Sequence, residues 1–121
     1  MELKQPKTIR LGYKDVVVKT VPHVIVEDRS DYLGAYNHND GSIYLQAGRS
    51  PALTAETLFH EVAHGAFKTC GLHYRYKEDE EEHIIDCLTE ALLAIFKNNP
   101  TFLPYINQEH MIVTGKQSFC C

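Results

Sequence analysis

Thr57-Leu58-Phe59-His60-Glu61-Val62-Ala63-His64-Gly65-Ala66-Phe67 is the stretch on which the reading of this chain turns. It lies inside a segment bounded as a helix. Ser50 can cap the amino end, Pro51 suits the first helical position, and Gly71 marks a stop after residue 70. Leu58, Val62, Ala63, Ala66 and Cys70 give that helix an apolar face. His60 and His64 are four residues apart, so they lie one above the other and both imidazoles can reach one ion. Neutral imidazole suits Zn²⁺, with bonds of about 2.0–2.1 Å. Glu61 falls beside such an ion rather than on it, where a carboxylate can take a proton from water; it is the candidate catalytic residue.

Two ligands rarely suffice, and the third is sought downstream. The arrangement H-E-x-x-H-x-x-G-x-x-H is disfavoured, because Phe67 and Cys70 occupy its glycine and third histidine positions. The alternative takes a glutamate from a following helix, expected over 79–98, where Ile84, Ile85, Leu88, Leu92, Ile95 and Phe96 recur at helical spacing. Glu82 is the preferred ligand, since Asp86 lies one turn later and can accept a hydrogen bond from a ligand histidine. Glu81 competes, because it continues the apolar stripe, and His83 is a further option. A purely structural account also exists: with Asp79 as N-cap, Glu82 takes the capping-box position, and the acidic run 79–82 complements the helix dipole.

Upstream, the chain reads as β structure. Residues 8–11 and 15–21 flank a Gly12-Tyr13-Lys14 turn, and 23–27 is another β-branched run. Residues 32–36 and 42–46 flank Asn37-His38-Asn39-Asp40-Gly41, a second hairpin signal. Val16 to Val18 fits a short helix as well as a strand. Downstream, Asn98-Asn99-Pro100 ends the second helix, 102–106 suggests one more helical turn, and 111–113 a last strand. The expectation is one α+β domain over residues 1–121, with a small mixed or antiparallel sheet packed on the histidine-bearing helix and the second helix behind. Ser42 to Gln46 is the expected edge strand near the metal, suited to pairing with an extended peptide.

Composition narrows the classes. Of 121 residues, 44% are hydrophobic and 23% charged, which is globular. The net charge of −4 argues against a nucleic-acid partner. The apolar run from Ala91 to Phe96 is far below the roughly 18 residues of a membrane span, and the first residues lack a secretory stretch. A cytoplasmic protein with no membrane partner is expected. Cys70 and Cys87 are expected as reduced, apolar helix residues, and Cys120 and Cys121 as dispensable.

The segment 57–66, followed by Glu81-Glu82-His83-Ile84-Ile85 and Lys97-Asn98-Asn99-Pro100, resembles the small phage-encoded zinc-peptidase-like proteins. More distantly it is similar to the ImmA/IrrE-type metallopeptidases. The resemblance covers about residues 42–102 and implies a minimal zincin-like fold of the gluzincin type. It implies a zinc cofactor, with the glutamate matching Glu82 as third ligand, and hydrolysis of a protein or peptide substrate in the host cytosol. The rival is a non-catalytic zinc-binding interaction or regulatory module; retention of Glu61 argues against it, and small size argues for it. A DNA-directed accessory would want a basic surface or zinc ribbon, and neither is visible. Tyr74, Arg75, Tyr76, Tyr105 and His110 all qualify as oxyanion-stabilising side chains, and the sequence selects none.

Overall fold

Period-two alternation in the N-terminal half produces a four-stranded mixed sheet in the computed structural model, which describes residues 4–26 and 32–108. Strands β1 (Thr8–Leu11) and β2 (Lys14–Val21) form the expected antiparallel hairpin, so Val16 to Val18 are strand and not helix. Strands β3 (Gly34–Asn37) and β4 (Ser42–Gln46) form the second. Its turn is organised by the Asn37 side chain, whose Oδ1 accepts the backbone N–H groups of Asn39 and Asp40. Gly41 supplies the left-handed φ of 69° that closes it.

The strand order is β1-β2-β4-β3, with β2 and β4 parallel. Ser42 to Gln46 is therefore an interior strand, and the free edge beside the helices is Gly34 to Asn37, contrary to the expectation from sequence. The connection from β2 crosses the sheet before β3, and among its described residues the expected strand at 23–27 is only a single bridge, Val24 with Tyr32. Ile43 and Leu45 of β4 share one face with Val16 and Leu11 and form the buried core. Leu58 and Val62 of the first helix pack onto that face.

That helix, α1 (Pro51–Thr69), starts where Ser50 Oγ accepts the backbone N–H of Leu53. Its buried residues are Glu61, Gly65 and Phe67, whereas Ala66 faces solvent. Gly71, at φ 87°, turns the chain into a 3-10 turn at Leu72–Tyr74. Helix α2 (Glu78–Asn98) then returns along α1, tied to it by the Phe59 and Phe96 rings and by Lys97 near Glu56. Its N-cap is Lys77, not Asp79, and the Lys77 N–H bonds Glu80 Oε1 at 2.9 Å. The capping role thus falls to Glu80 and leaves Glu82 free of it. The buried line of α2 is Glu81, Ile85 and Thr89, so the stripe expected through Leu88 and Ile95 is wrongly phased: both are about half exposed. A short α3 (Phe102–Ile106) follows.

The molecule is α+β, and no described helix is long and apolar enough to cross a membrane. Cys70 and Cys87 are free thiols, but Cys87 is exposed rather than packed. The expected strand at 111–113, His110, Cys120 and Cys121 lie outside the described residues.

Candidate metal centre

The helical repeat of α1 sets His60 and His64 side by side, with Nε2 atoms 3.2 Å apart. Helix α2 runs past them and brings up Glu82, whose Oε1 lies 2.9 Å from His60 Nε2 and whose Oε2 lies 3.1 Å from His64 Nε2. A tetrahedral ion with bonds of about 2.0–2.1 Å holds its ligand atoms roughly 3.3 Å apart. The contacts among the three side chains, which use both oxygens of Glu82, are each within a few tenths of that figure, and two imidazoles with one carboxylate are a donor set suited to zinc.

The outer nitrogens explain why the inner ones converge. His64 Nδ1 is 2.8 Å from Glu81 Oε2, and His60 Nδ1 is 3.4 Å from Asp86 Oδ1. Carboxylates accept, so at His64 the shorter contact, to Glu81, favours a proton on Nδ1 and leaves Nε2 as a lone pair. At His60 the shorter contact is Nε2 to Glu82, and a lone pair on that Nε2 calls for a cation in place of the proton. Two lone pairs facing each other at 3.2 Å repel unless a proton or a cation sits between them. Glu81 and Glu82 therefore divide the work that sequence left open between them. Glu82 faces both Nε2 atoms, and Glu81 faces His64 from behind. Asp86 stands behind His60 as its spacing suggested, though at ion-pair distance. His83 turns elsewhere, with Nε2 3.9 Å from Cys87 Sγ.

Glu61 occupies a different environment from these acids. It is 8% exposed and points toward edge strand β3, where it accepts a backbone hydrogen bond from Tyr36. Burial pushes its carboxyl above the ordinary glutamate value and the Glu82 charge adds to this, while His64, His60 and the Tyr36 N–H pull the other way. His64 is shifted upward. Burial disfavours its charge, but the hydrogen bond to Glu81 and the surrounding carboxylates outweigh that. Glu81 is shifted downward. Burial opposes its charge, and bonds from His64 and His73 prevail.

The close fit of β3 against α1 depends on two glycines. A Cβ on Gly34 meets Thr57 Cγ2 at 2.6 Å, and one on Gly65 meets Leu11 Cδ1 at 2.5 Å. The resulting cleft runs between β3, α1 and α2 and is lined by Tyr36, His38 and Lys68 together with His60, Glu61, His64 and Glu82. None of Tyr74, Arg75, Tyr76 and Tyr105 lines it. Tyr36 does, with its hydroxyl 2.8 Å from His38 Nδ1. Neither Tyr36 nor His73 carries a signal in the sequence: one sits in a short strand, the other in a turn with no repeat to phase it. No family model, curated protein or solved structure matches the chain.

Proposed function

We propose that the chain is a zinc-dependent metallopeptidase of minimal zincin-like architecture, with His60, His64 and Glu82 as metal ligands and Glu61 as general base. The observation that carries this reading is the convergence of one ligand atom from each of His60, His64 and Glu82 within 4.8 Å of one another, beside a buried glutamate that is not one of them. Bound zinc supplies Lewis acidity, lowering the pKa of a water toward about 7 and polarising a carbonyl oxygen. Glu61 takes a proton from the attacking water as the new C–O bond forms. It then delivers that proton to the amine nitrogen as the C–N bond breaks. The upward shift of Glu61 suits this exchange, because it is a stronger base than a surface glutamate. The Tyr36 N–H holds the carboxylate in place.

The free edge of the sheet supports a peptide as the substrate class. Leu33 O accepts the Gln46 N–H, so the antiparallel alternation turns the backbone groups of Gly34 and Tyr36 away from β4 and toward the cleft. With the Tyr36 N–H taken by Glu61, the backbone groups of Gly34 and the Tyr36 carbonyl remain for an extended peptide to add there as a further strand. The test pairs elemental analysis with cleavage of a proteome-derived peptide library. Wild type is expected to hold one zinc and to cleave; His60→Ala and Glu82→Ala lose both properties, and Glu61→Gln keeps the metal but loses cleavage by roughly 10²–10⁴-fold. Unchanged cleavage in Glu61→Gln overturns the role of Glu61 as general base.

A further inference from the structure

Glu81 is 6% exposed, and a buried carboxylate is stable only when its oxygens are satisfied. It has one imidazole on each oxygen. Oε2 is 2.8 Å from His64 Nδ1, and Oε1 is 2.8 Å from His73 Nδ1. The three groups come from three elements: His64 from α1, His73 from the 3-10 turn that follows it, and Glu81 from the first turn of α2. We propose that His73 is a positioning residue for the metal centre, clamping Glu81 so that Glu81 holds His64 as the Nδ1–H tautomer with Nε2 turned to His60 and Glu82. This deepens the metallopeptidase reading and rests on it for its consequence, but the chain of contacts stands without an ion.

The geometry separates this role from simple packing. A carboxylate held at one oxygen can rotate about its last bond and offer either oxygen to either neighbour. Held at both, it has one orientation, and the ring facing it has one tautomer. His60 shows the contrast. Its outer partner Asp86 has a side chain 61% exposed, stands 3.4 Å away, and among the described residues has no second imidazole behind it. His64 is therefore the fixed ligand and His60 the adjustable one. Partners behind ligand histidines ordinarily change metal affinity by about 10–100-fold when removed. His73 is one step further out, which places its removal at the lower end, about 10-fold.

The experiment uses the full chain in two forms. On the metal-free protein, at a pH where the His64 ¹⁵N shifts themselves report a neutral ring, long-range ¹H–¹⁵N NMR reads the His64 tautomer. Wild type is expected to show Nδ1–H; His73→Phe should show a mixture of tautomers, and His73→Asn, which places an amide donor near the lost Nδ1, should return the wild-type pattern. On the zinc form, chelator competition should show about 10-fold weaker binding for His73→Phe and binding within about 3-fold of wild type for His73→Asn. In a Glu81→Gln background, His73→Phe should cost nothing further, because the clamp has nothing to hold. A wild-type tautomer in His73→Phe overturns the proposal, and so does an affinity loss that persists undiminished in the Glu81→Gln background. Where His73→Phe fails to fold, His73→Ala serves in its place, since it too removes the donor to Glu81. A wild-type chain that takes no zinc refutes the metal reading alone, since the tautomer answers without the ion.

Discussion

Replacing Gly34 with alanine tests whether the contact between the edge strand and α1 is as close as the structure shows. The backbone at Gly34 is ordinary extended chain, so alanine gains about 0.5–1 kcal/mol from the lower entropy of the unfolded state. Against that, the new Cβ stands 2.6 Å from Thr57 Cγ2, 3.1 Å from Tyr44 O and 3.3 Å from Glu61 Cγ. Thr57 must retreat by about 0.8 Å or more to reach an ordinary contact of 3.4 Å, but its Oγ1 is bonded to Leu53 O at 2.8 Å. Tyr44 O belongs to β4, and moving it strains the pairing of Ala35 with Tyr44. Overpacking of this kind costs about 1–3 kcal/mol. The net expectation is a loss of about 1–2 kcal/mol, read by urea denaturation of the metal-free chain, or a fall in Tm of roughly 3–10 °C.

Thr57→Ser isolates the cause, because it deletes Cγ2 and keeps the hydroxyl. Introduced into Gly34→Ala it should recover more than half of the loss, while alone it costs less than about 1 kcal/mol. The coupling should lie within the 0.5–3 kcal/mol typical of touching residues. Cleavage should fall in Gly34→Ala and recover in the double variant, since Glu61 Cγ is part of the same contact. A neutral Gly34→Ala, or one that Thr57→Ser does not rescue, would refute the close approach of β3 to the helix that bears the two histidines.

The two buried glutamates should show opposite pH signatures in the metal-free chain. Glu61 is raised above its ordinary 4.5, so its charge costs stability above the raised value and nothing below 4.5; Glu61→Gln should raise Tm at pH 7, by an amount that vanishes on acidification. Glu81 is lowered, so its contribution is present above 4.5 and lost as pH falls through its own lower value; Glu81→Gln should lower Tm at pH 7 and converge with wild type in acid. Asp86→Asn should weaken zinc binding less than Glu81→Gln does, because an exposed partner at 3.4 Å holds its histidine more loosely than a buried one at 2.8 Å; equal losses would count against the unequal support of the two ligands. Native thiol labelling should reach Cys87 before Cys70, and Cys87→Ser should leave Tm within about 1 °C, since that side chain is exposed.

The parts of this molecule legible in its sequence are those governed by local periodicity. The four-residue spacing of His60 and His64 fixes their shared face whatever surrounds α1, and the Ser50-Pro51 start and Gly71 stop place the helix within a residue. Asn37 and Gly41 likewise define the β3–β4 turn from their own chemistry. What escaped was set by relations between elements. Strand order is one case: nothing local in Ser42 to Gln46 says that β2 lies on one side of it and β3 on the other. The phase of α2 is another. Consecutive residues on a helix are about 100° apart, so Glu81 and Glu82 differ by a rotation that only packing against α1 can choose. That packing buries Glu81, Ile85 and Thr89 and exposes Leu88, a line no hydrophobic count selects because two of its three members are polar.

The same rotation gives α2 a chemical rather than a purely apolar contact with α1. One turn and a half of it presents Glu81, Glu82 and Asp86 to two histidines, each acid toward a different nitrogen atom or pair of atoms. A helix placed for burial alone would set leucine or isoleucine at position 81, as the stripe through Ile84, Ile85 and Leu88 anticipates. Glu81 there is tolerable only because His64 and His73 satisfy both of its oxygens. The acidic first turn, Glu78 to Glu81, thus serves the helix dipole with its outer members and the histidine pair with its inner one. Stability and site are in tension at residue 81: an apolar side chain there would pack the helices better and leave His64 free to turn its Nε2 away from His60 and Glu82.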